Sequence, residues 1–128
     1  MKAYQFTVPA KLPGLNEYTK ACRGSRYEGA EMKKQAEKLV SIYIKQQMRG
    51  VRINYPVHLT YYWKEPNRKR DKDNVAGFGM KVIQDALVHS GVIPDDGWKY
   101  IDGFSHYFTV DPDRPGVTVV IEPVSEDT

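Results

Sequence analysis

Residues 57–74 read VHLTYYWKEPNRKRDKDN, and the fold turns on how this stretch divides. Val57, Leu59, Tyr61 and Trp63 alternate with His58, Thr60 and Tyr62, the two-residue period of a strand with one buried face. Pro66 closes the strand, and a run of charge follows: Arg68-Lys69-Arg70-Asp71-Lys72-Asp73. From about Asn74 to Ser90 the period becomes helical. Val75, Phe78, Val82, Ile83, Ala86 and Leu87 supply the apolar positions, and Gly91 is the stop. A strand, a charged turn and a mostly apolar helix in direct succession belong to folds that lay helices on a sheet.

Upstream, Tyr4, Phe6 and Val8 alternate with Gln5 and Thr7, a first strand that ends at Pro9. Residues 9–28 carry Pro13-Gly14 and Gly24, with Lys11, Lys20, Arg23 and Arg26 spread among them, and read as a long basic loop, of a length typical of functional or disordered segments. Ala36, Leu39, Val40 and Tyr43 predict a helix over about Ala30 to Arg49, ended by Gly50, with Lys33, Lys34, Lys38, Lys45 and Arg49 on a solvated face. Downstream, Pro94-Asp95-Asp96-Gly97 is turn chemistry. Strands follow over about Tyr100–Val110 and Val117–Glu122. The order β-α-β-α-β-β predicts a single α+β domain over residues 1–128, one mixed sheet with two helices packed on it.

At 128 residues the chain can bury roughly two thirds of its unfolded surface without staples. A net charge of +3 permits an anionic partner without demanding one. Cys22 is the single cysteine, which excludes an intrachain disulfide and fits a reducing compartment. No apolar run approaches the roughly 20 residues of a membrane span. With no secretory leader at Met1-Lys2-Ala3-Tyr4, the expected location is cytoplasmic. His58, His89 and His106 lack metal-ligand spacing, which argues against zinc.

Asp71 and Asp73 stand two residues apart inside the basic run, and Asp95-Asp96 follow beyond the helix. Carboxylates repel phosphate, so acids among lysines and arginines suit nucleic acid when a divalent cation lies between them. That combination points to a metal-dependent nuclease. Two plainer readings stand beside it: Asp71 and Asp73 as helix caps, and Asp95-Asp96-Gly97 as a turn. An EF-hand loop is excluded, because its glycine and terminal glutamate are missing. At about 100° per residue, Asn74, Lys81 and Asp85 form one polar strip on the helix. If the chain folds back after Gly91, the Asp-Asp turn and the Asp-x-Asp turn meet. Three converging carboxylates without partners would repel, which a hard divalent ion, Mg²⁺ or Mn²⁺, resolves. The helix's apolar arc, from Phe78 round to Met80, is wider than one sheet needs, so its second side faces either a partner chain or residues 9–28.

At these residues the chain resembles the RusA family of Holliday junction resolvases. The resemblance lies in Arg70-Asp71-Lys72-Asp73-Asn74, in Lys81-Val82-Ile83-Gln84-Asp85-Ala86-Leu87 and in Gly91-Val92-Ile93-Pro94-Asp95-Asp96. Pro13-Gly14-Leu15-Asn16-Glu17-Tyr18 is similar to the family's segment after its first strand. The resemblance implies a homodimeric, Mg²⁺-dependent endonuclease that resolves four-way DNA junctions by paired nicks. Asp71, Asp73 and Asp96 would hold the metal, and Lys81 would be the catalytic lysine. The pattern is departed from at one place: about four extra residues separate Asp73 from Lys81, and Gly77 stands where the family's lysine would be. One added turn moves Lys81 about 6 Å along the axis. Arg68, Lys69, Arg70 and Lys72, with Lys99, are the candidates for DNA phosphate contacts. Tyr18, Tyr27 and Trp98 are candidates for stacking on unpaired bases. The rival readings are a DNA-binding module without catalysis and an assembly protein whose aspartates only cap a helix.

Overall fold

The computed structural model describes residues 1–124. The elements run β1 (Tyr4–Val8), α1 (Leu15–Gly24), α2 (Arg26–Gln47), β2 (Val57–Glu65), α3 (Lys72–His89), β3 (Ile101–Val110) and β4 (Gly116–Pro123). One four-stranded sheet has the order β1-β4-β2-β3. β4 pairs antiparallel with both β1 and β2, whereas β2 and β3 are parallel. A parallel pair needs a long crossover, and α3 supplies it. The α+β class and mixed sheet are as the sequence predicts.

The expected strand alternation holds in β2: Val57, Leu59, Tyr61 and Trp63 are buried. They join Phe6 and Val8 of β1 and Val117, Val119 and Ile121 of β4 in one core with Val40 and Ile44 of α2 and Val82 and Ile83 of α3. The other sheet face is polar and partly open, with Tyr62 stacked on Tyr107 at 5.3 Å and Thr7 hydrogen-bonded to Thr118 at 2.8 Å.

The long basic loop is the main correction. Residues 9–28 contain α1, so the described residues form three helices, and α2 begins at Arg26 instead of Ala30. The hinge is Ser25. Its backbone N–H bonds back to the carbonyl of Ala21, closing α1, while its hydroxyl accepts from the Glu28 N–H at 3.0 Å, opening α2. No residue of α1 is fully buried, and its ten residues lie between Pro13-Gly14 and Gly24 with basic residues spread among them, which reads as loop punctuation. It nevertheless covers α3: the Tyr18 ring stacks on Phe78 at 4.5 Å, and Leu15 sits against Gly77. The broad apolar arc of α3 is therefore used within the chain, by the sheet on one side and α1 on the other. A partner chain is not required to explain it.

Candidate active site

β2 and β3 end side by side at Glu65 and Val110. The chain leaves β2 through the charged turn and enters α3. Crevices beyond the carboxyl ends of parallel strands are where α/β sheets place ligands. Here a cavity of about 690 Å³ opens between the turn, the start of α3 and the end of β3. Its walls include Glu65, Arg68, Asp71, Lys72, Asp73 and Phe108.

Asp71 is the N-cap residue of α3 by backbone position, yet its side chain makes no capping hydrogen bond. Asp73, in the first turn, accepts only from the adjacent Asn74 N–H, at 3.0 Å. Both side chains are exposed at the positive end of a helix dipole, which suits carboxylates. The capping reading explains neither carboxylate fully. As hard oxygen donors lining a cavity they fit a divalent ion of the Mg²⁺ class.

What holds this turn is a residue pair whose acid the sequence reading passed over. The Glu65 carboxylate takes both nitrogens of one edge of Arg70, Nε at 2.7 Å and Nη2 at 2.8 Å. Arg70 Nη1 donates to the Leu12 carbonyl at 3.0 Å and lies 3.5 Å from Glu17. The two side chains are only 12% and 11% exposed. Arg70 lines the same cavity, but most of its hydrogen bonds are spent within the chain: the guanidinium pins the Asp-bearing turn to β2 and to the approach to α1. Strand alternation was the available signal, since Glu65 continues the inward set Val57, Leu59, Tyr61, Trp63. Asn74 completes the joint, its Oδ1 accepting from the Asn16 N–H at 2.7 Å. Gly14 fits beneath because any side chain there would strike Asn74 Oδ1 and crowd the Arg70 guanidinium. Two motifs far apart in the sequence meet at this point.

The other basic residues remain outward. Arg68 lines the cavity; Lys69 is exposed beside it; Lys72 lies over the Phe108 ring at 5.6 Å. Lys99, in the turn before β3, lies over Tyr100 at 5.4 Å. Of the stacking candidates, Tyr18 is taken up by Phe78, while Tyr27 and Trp98 are exposed.

Asp96 is brought to the polar strip of α3, but not to Asp71 and Asp73. Gly91, with φ +77°, stops α3 and turns the chain back, as expected. The turn that follows delivers the Asp96 carboxylate to 3.4 Å from Lys81 Nζ, and Lys81 also reaches Asp85 at 3.0 Å. Asp95 instead accepts from the Gly97 N–H at 2.8 Å, stabilising the turn itself. Asp73 and Lys81 are eight residues apart on one helix, about 12 Å along its axis. The added helical turn therefore separates the acids, and among the described residues no group of three His, Cys, Asp or Glu lies close enough to share one metal ion. The hydrogen bond to Asp85 raises the Lys81 pKa above the ordinary lysine value, with burial opposing it and Asp96 adding to it. Lys81 is a cation at neutral pH.

Among the described residues no helix is long and apolar enough to cross a membrane. A search of the curated proteins returned no match. The family model for Endodeoxyribonuclease RusA matches residues 10–122, a span that takes in the Pro-Gly segment, the charged turn, all of α3 and the Asp-Asp turn. That family comprises nucleases of branched DNA junctions that depend in general on divalent metal. With nearly its whole length matched, this chain belongs to the RusA endodeoxyribonuclease family.

Proposed function

We propose that the protein is a Mg²⁺-dependent endonuclease that resolves four-way DNA junctions by paired, symmetric nicks, in recombination and repair. The observation that carries this reading is the pair Asp71 and Asp73: two carboxylates without a full set of internal partners, in a cavity rimmed by Arg68 and Lys72. Asp71 and Asp73 are the residues that would hold the ion in this cavity; Asp96, expected to join them, sits beside Lys81 instead. When bound, Mg²⁺, or Mn²⁺ in its place, lowers the pKa of water and neutralises charge on the scissile phosphate.

The chain's own groups do the rest. Glu65 and Arg70 hold the turn rigid, so Asp71 and Asp73 keep their positions without reorganising as charge develops. Arg68, Lys69 and Lys72, with Lys99 further off, hold flanking phosphates and set the register of the DNA. Lys81 brings a fixed positive charge to the transition state. Because one chain carries one such constellation and a junction needs two cuts, the working unit is a homodimer with two-fold symmetry. The single, unpaired Cys22 is compatible with work in the cytoplasm.

The test is a labelled four-way junction and a linear duplex of the same sequence, each incubated with Mg²⁺ or with EDTA. Symmetric nicks on the junction alone, and only with metal, are expected. Junction binding without nicks in Mg²⁺ or Mn²⁺ would instead leave a DNA-binding module without catalysis.

A further inference from the structure

The sheet has two edges, and the chain treats them differently. β1, at one edge, is five residues long, and other side chains take up its backbone. The Gln47 side-chain amide accepts from the Thr7 N–H at 2.8 Å and donates to the Thr7 carbonyl at 2.7 Å. Just before the strand, the Tyr55 hydroxyl donates to the Lys2 carbonyl at 2.9 Å. β3, at the other edge, is ten residues long and is the one described strand with no buried residue. The Asp111 N–H donates to the Glu65 carbonyl at 2.8 Å, which fixes the alternation: Phe104, His106, Phe108 and Val110 turn their backbone N–H and C=O groups away from β2. Among the described residues no strand pairs with that side.

An open strand edge invites another strand, and proteins ordinarily blunt it with lysine, proline or a bulge. Gly103–Val110 reads GFSHYFTV, with neither a charged residue nor a proline. Beyond a shift at Val57/His58, its pairing with β2 is regular. Phe104 and Tyr107, on its two faces, are 45% and 56% exposed.

We infer that this edge is the dimer interface: β3 pairs antiparallel with β3 of a second copy about a two-fold axis at His106, joining two four-stranded sheets into one. The inference rests on the two-fold assembly proposed above. With His106 on the axis, Phe104 lies opposite the second copy's Phe108 and Ser105 opposite its Tyr107. Aromatic meets aromatic, and no charge meets a like charge across the paired segment. Burial pushes the His106 imidazole below its ordinary pKa, and Trp63 Nε1 donates to its Nδ1 at 2.9 Å, so the two rings meet uncharged. This self-complementarity is what a closed, isologous pair requires, and it selects a second copy over an unrelated strand. Phe108 and Val110 line the Asp71/Asp73 cavity, so the second copy's Phe104 backs the cavity wall. The two cavities then lie about 27 Å apart along the joined sheet, at roughly 3.4 Å per residue.

The test uses the full chain. In a Cys22→Ser background, Ser105→Cys and Tyr107→Cys chains are co-expressed and mildly oxidised. The two positions oppose each other in a non-hydrogen-bonded pair, with Cα atoms about 4.5 Å apart, within disulfide reach. A mixed disulfide dimer is expected from the two chains together and far less from either alone. By sedimentation, Phe104→Lys is expected to raise the dimer dissociation constant at least tenfold, while Ile42→Lys, exposed on α2, leaves it unchanged. A dimer that forms without the mixed disulfide, or that ignores Phe104→Lys, overturns the inference and leaves the nuclease reading intact. Should Phe104→Lys fail to fold, the mixed disulfide alone decides. A wild-type chain that stays monomeric at micromolar concentration also overturns the inference, and junction nicking then judges the nuclease reading by itself.

Discussion

Arg70 shows how a charge run can mislead when residues are taken as a class. Among five basic residues in the segment 64–72 it alone is turned inward, because Glu65 is presented to it by strand alternation and the Leu12 carbonyl lies within reach. A buried, bidentate pair stabilises little against a well-packed apolar substitute, but breaking it leaves one charge stranded. Arg70→Ala should therefore lower unfolding stability by about 3 kcal/mol, while Glu65→Leu with Arg70→Met recovers most of the loss. Urea unfolding measures both; equal stabilities for the single and double variants would mean that the pair is not buried in solution. Asp71→Asn, Asp73→Asn and Asp96→Asn are of the opposite kind. Each removes charge from a surface carboxylate, so stability should move by no more than about 1–2 kcal/mol while cleavage is abolished and junction binding persists. Asp95→Asn should be far milder, since that carboxylate serves the Gly97 N–H. A variant of Asp71, Asp73 or Asp96 that cuts at the wild-type rate is thereby shown to be dispensable.

At the scale of elements, α3 is held on three sides: by the sheet, by α1 through Tyr18 and Leu15, and by α2 through two polar ties. One of those ties senses pH. The Glu37 hydrogen bond, and then its charge, raises the His89 pKa above the ordinary 6.5. A raised folded pKa means that the charged pair stabilises fully below the unfolded value and that its contribution disappears as pH rises through the folded one. The Tm advantage of wild type over His89→Gln should therefore be greatest below the unfolded value and fade as pH rises through the raised folded one. An advantage that grows with pH would show that the imidazole is held by something other than Glu37. Asp85 behaves in the reverse sense. Burial tends to raise its pKa, but the Lys33 and Lys81 hydrogen bonds outweigh that and lower it, so its contribution persists at neutral pH and is lost only in acid.

For the whole molecule, the exposed cations on the turn imply a binding constant that falls steeply with salt, as phosphate contacts release counterions. Lys69→Ala should reduce the slope of log K against log salt by about one. An unchanged slope would take Lys69 off the DNA. Light scattering at micromolar protein should give about twice the chain mass of 14.7 kDa. A stable monomer that makes both nicks on one junction would remove the need for a two-fold assembly.

Much of this was legible from local pattern. The two-residue period of 57–63, the helical period after Asn74 and the Gly91 stop need only neighbouring residues, so strand, helix and turn were all readable where the pattern was strong. The motif residues of the family were legible for the same reason, as spacing along one chain. α1 was not, because it is only ten residues long and stands between Pro13-Gly14 and Gly24, whose turn chemistry marks a loop, while its packing on α3 and α2 comes from other elements. Nor was the inward turn of Arg70, which depends on a carboxylate and a carbonyl from two other segments. The place of Asp96 depended on tertiary structure most of all. Sequence set it beyond Gly91, but the helical rise and the return of the chain decided that it would meet Lys81, about 12 Å along α3 from Asp73. Periodicity reports which face a residue occupies; only the packed chain decides which residues on different elements share a site, because that distance is set by every element between them.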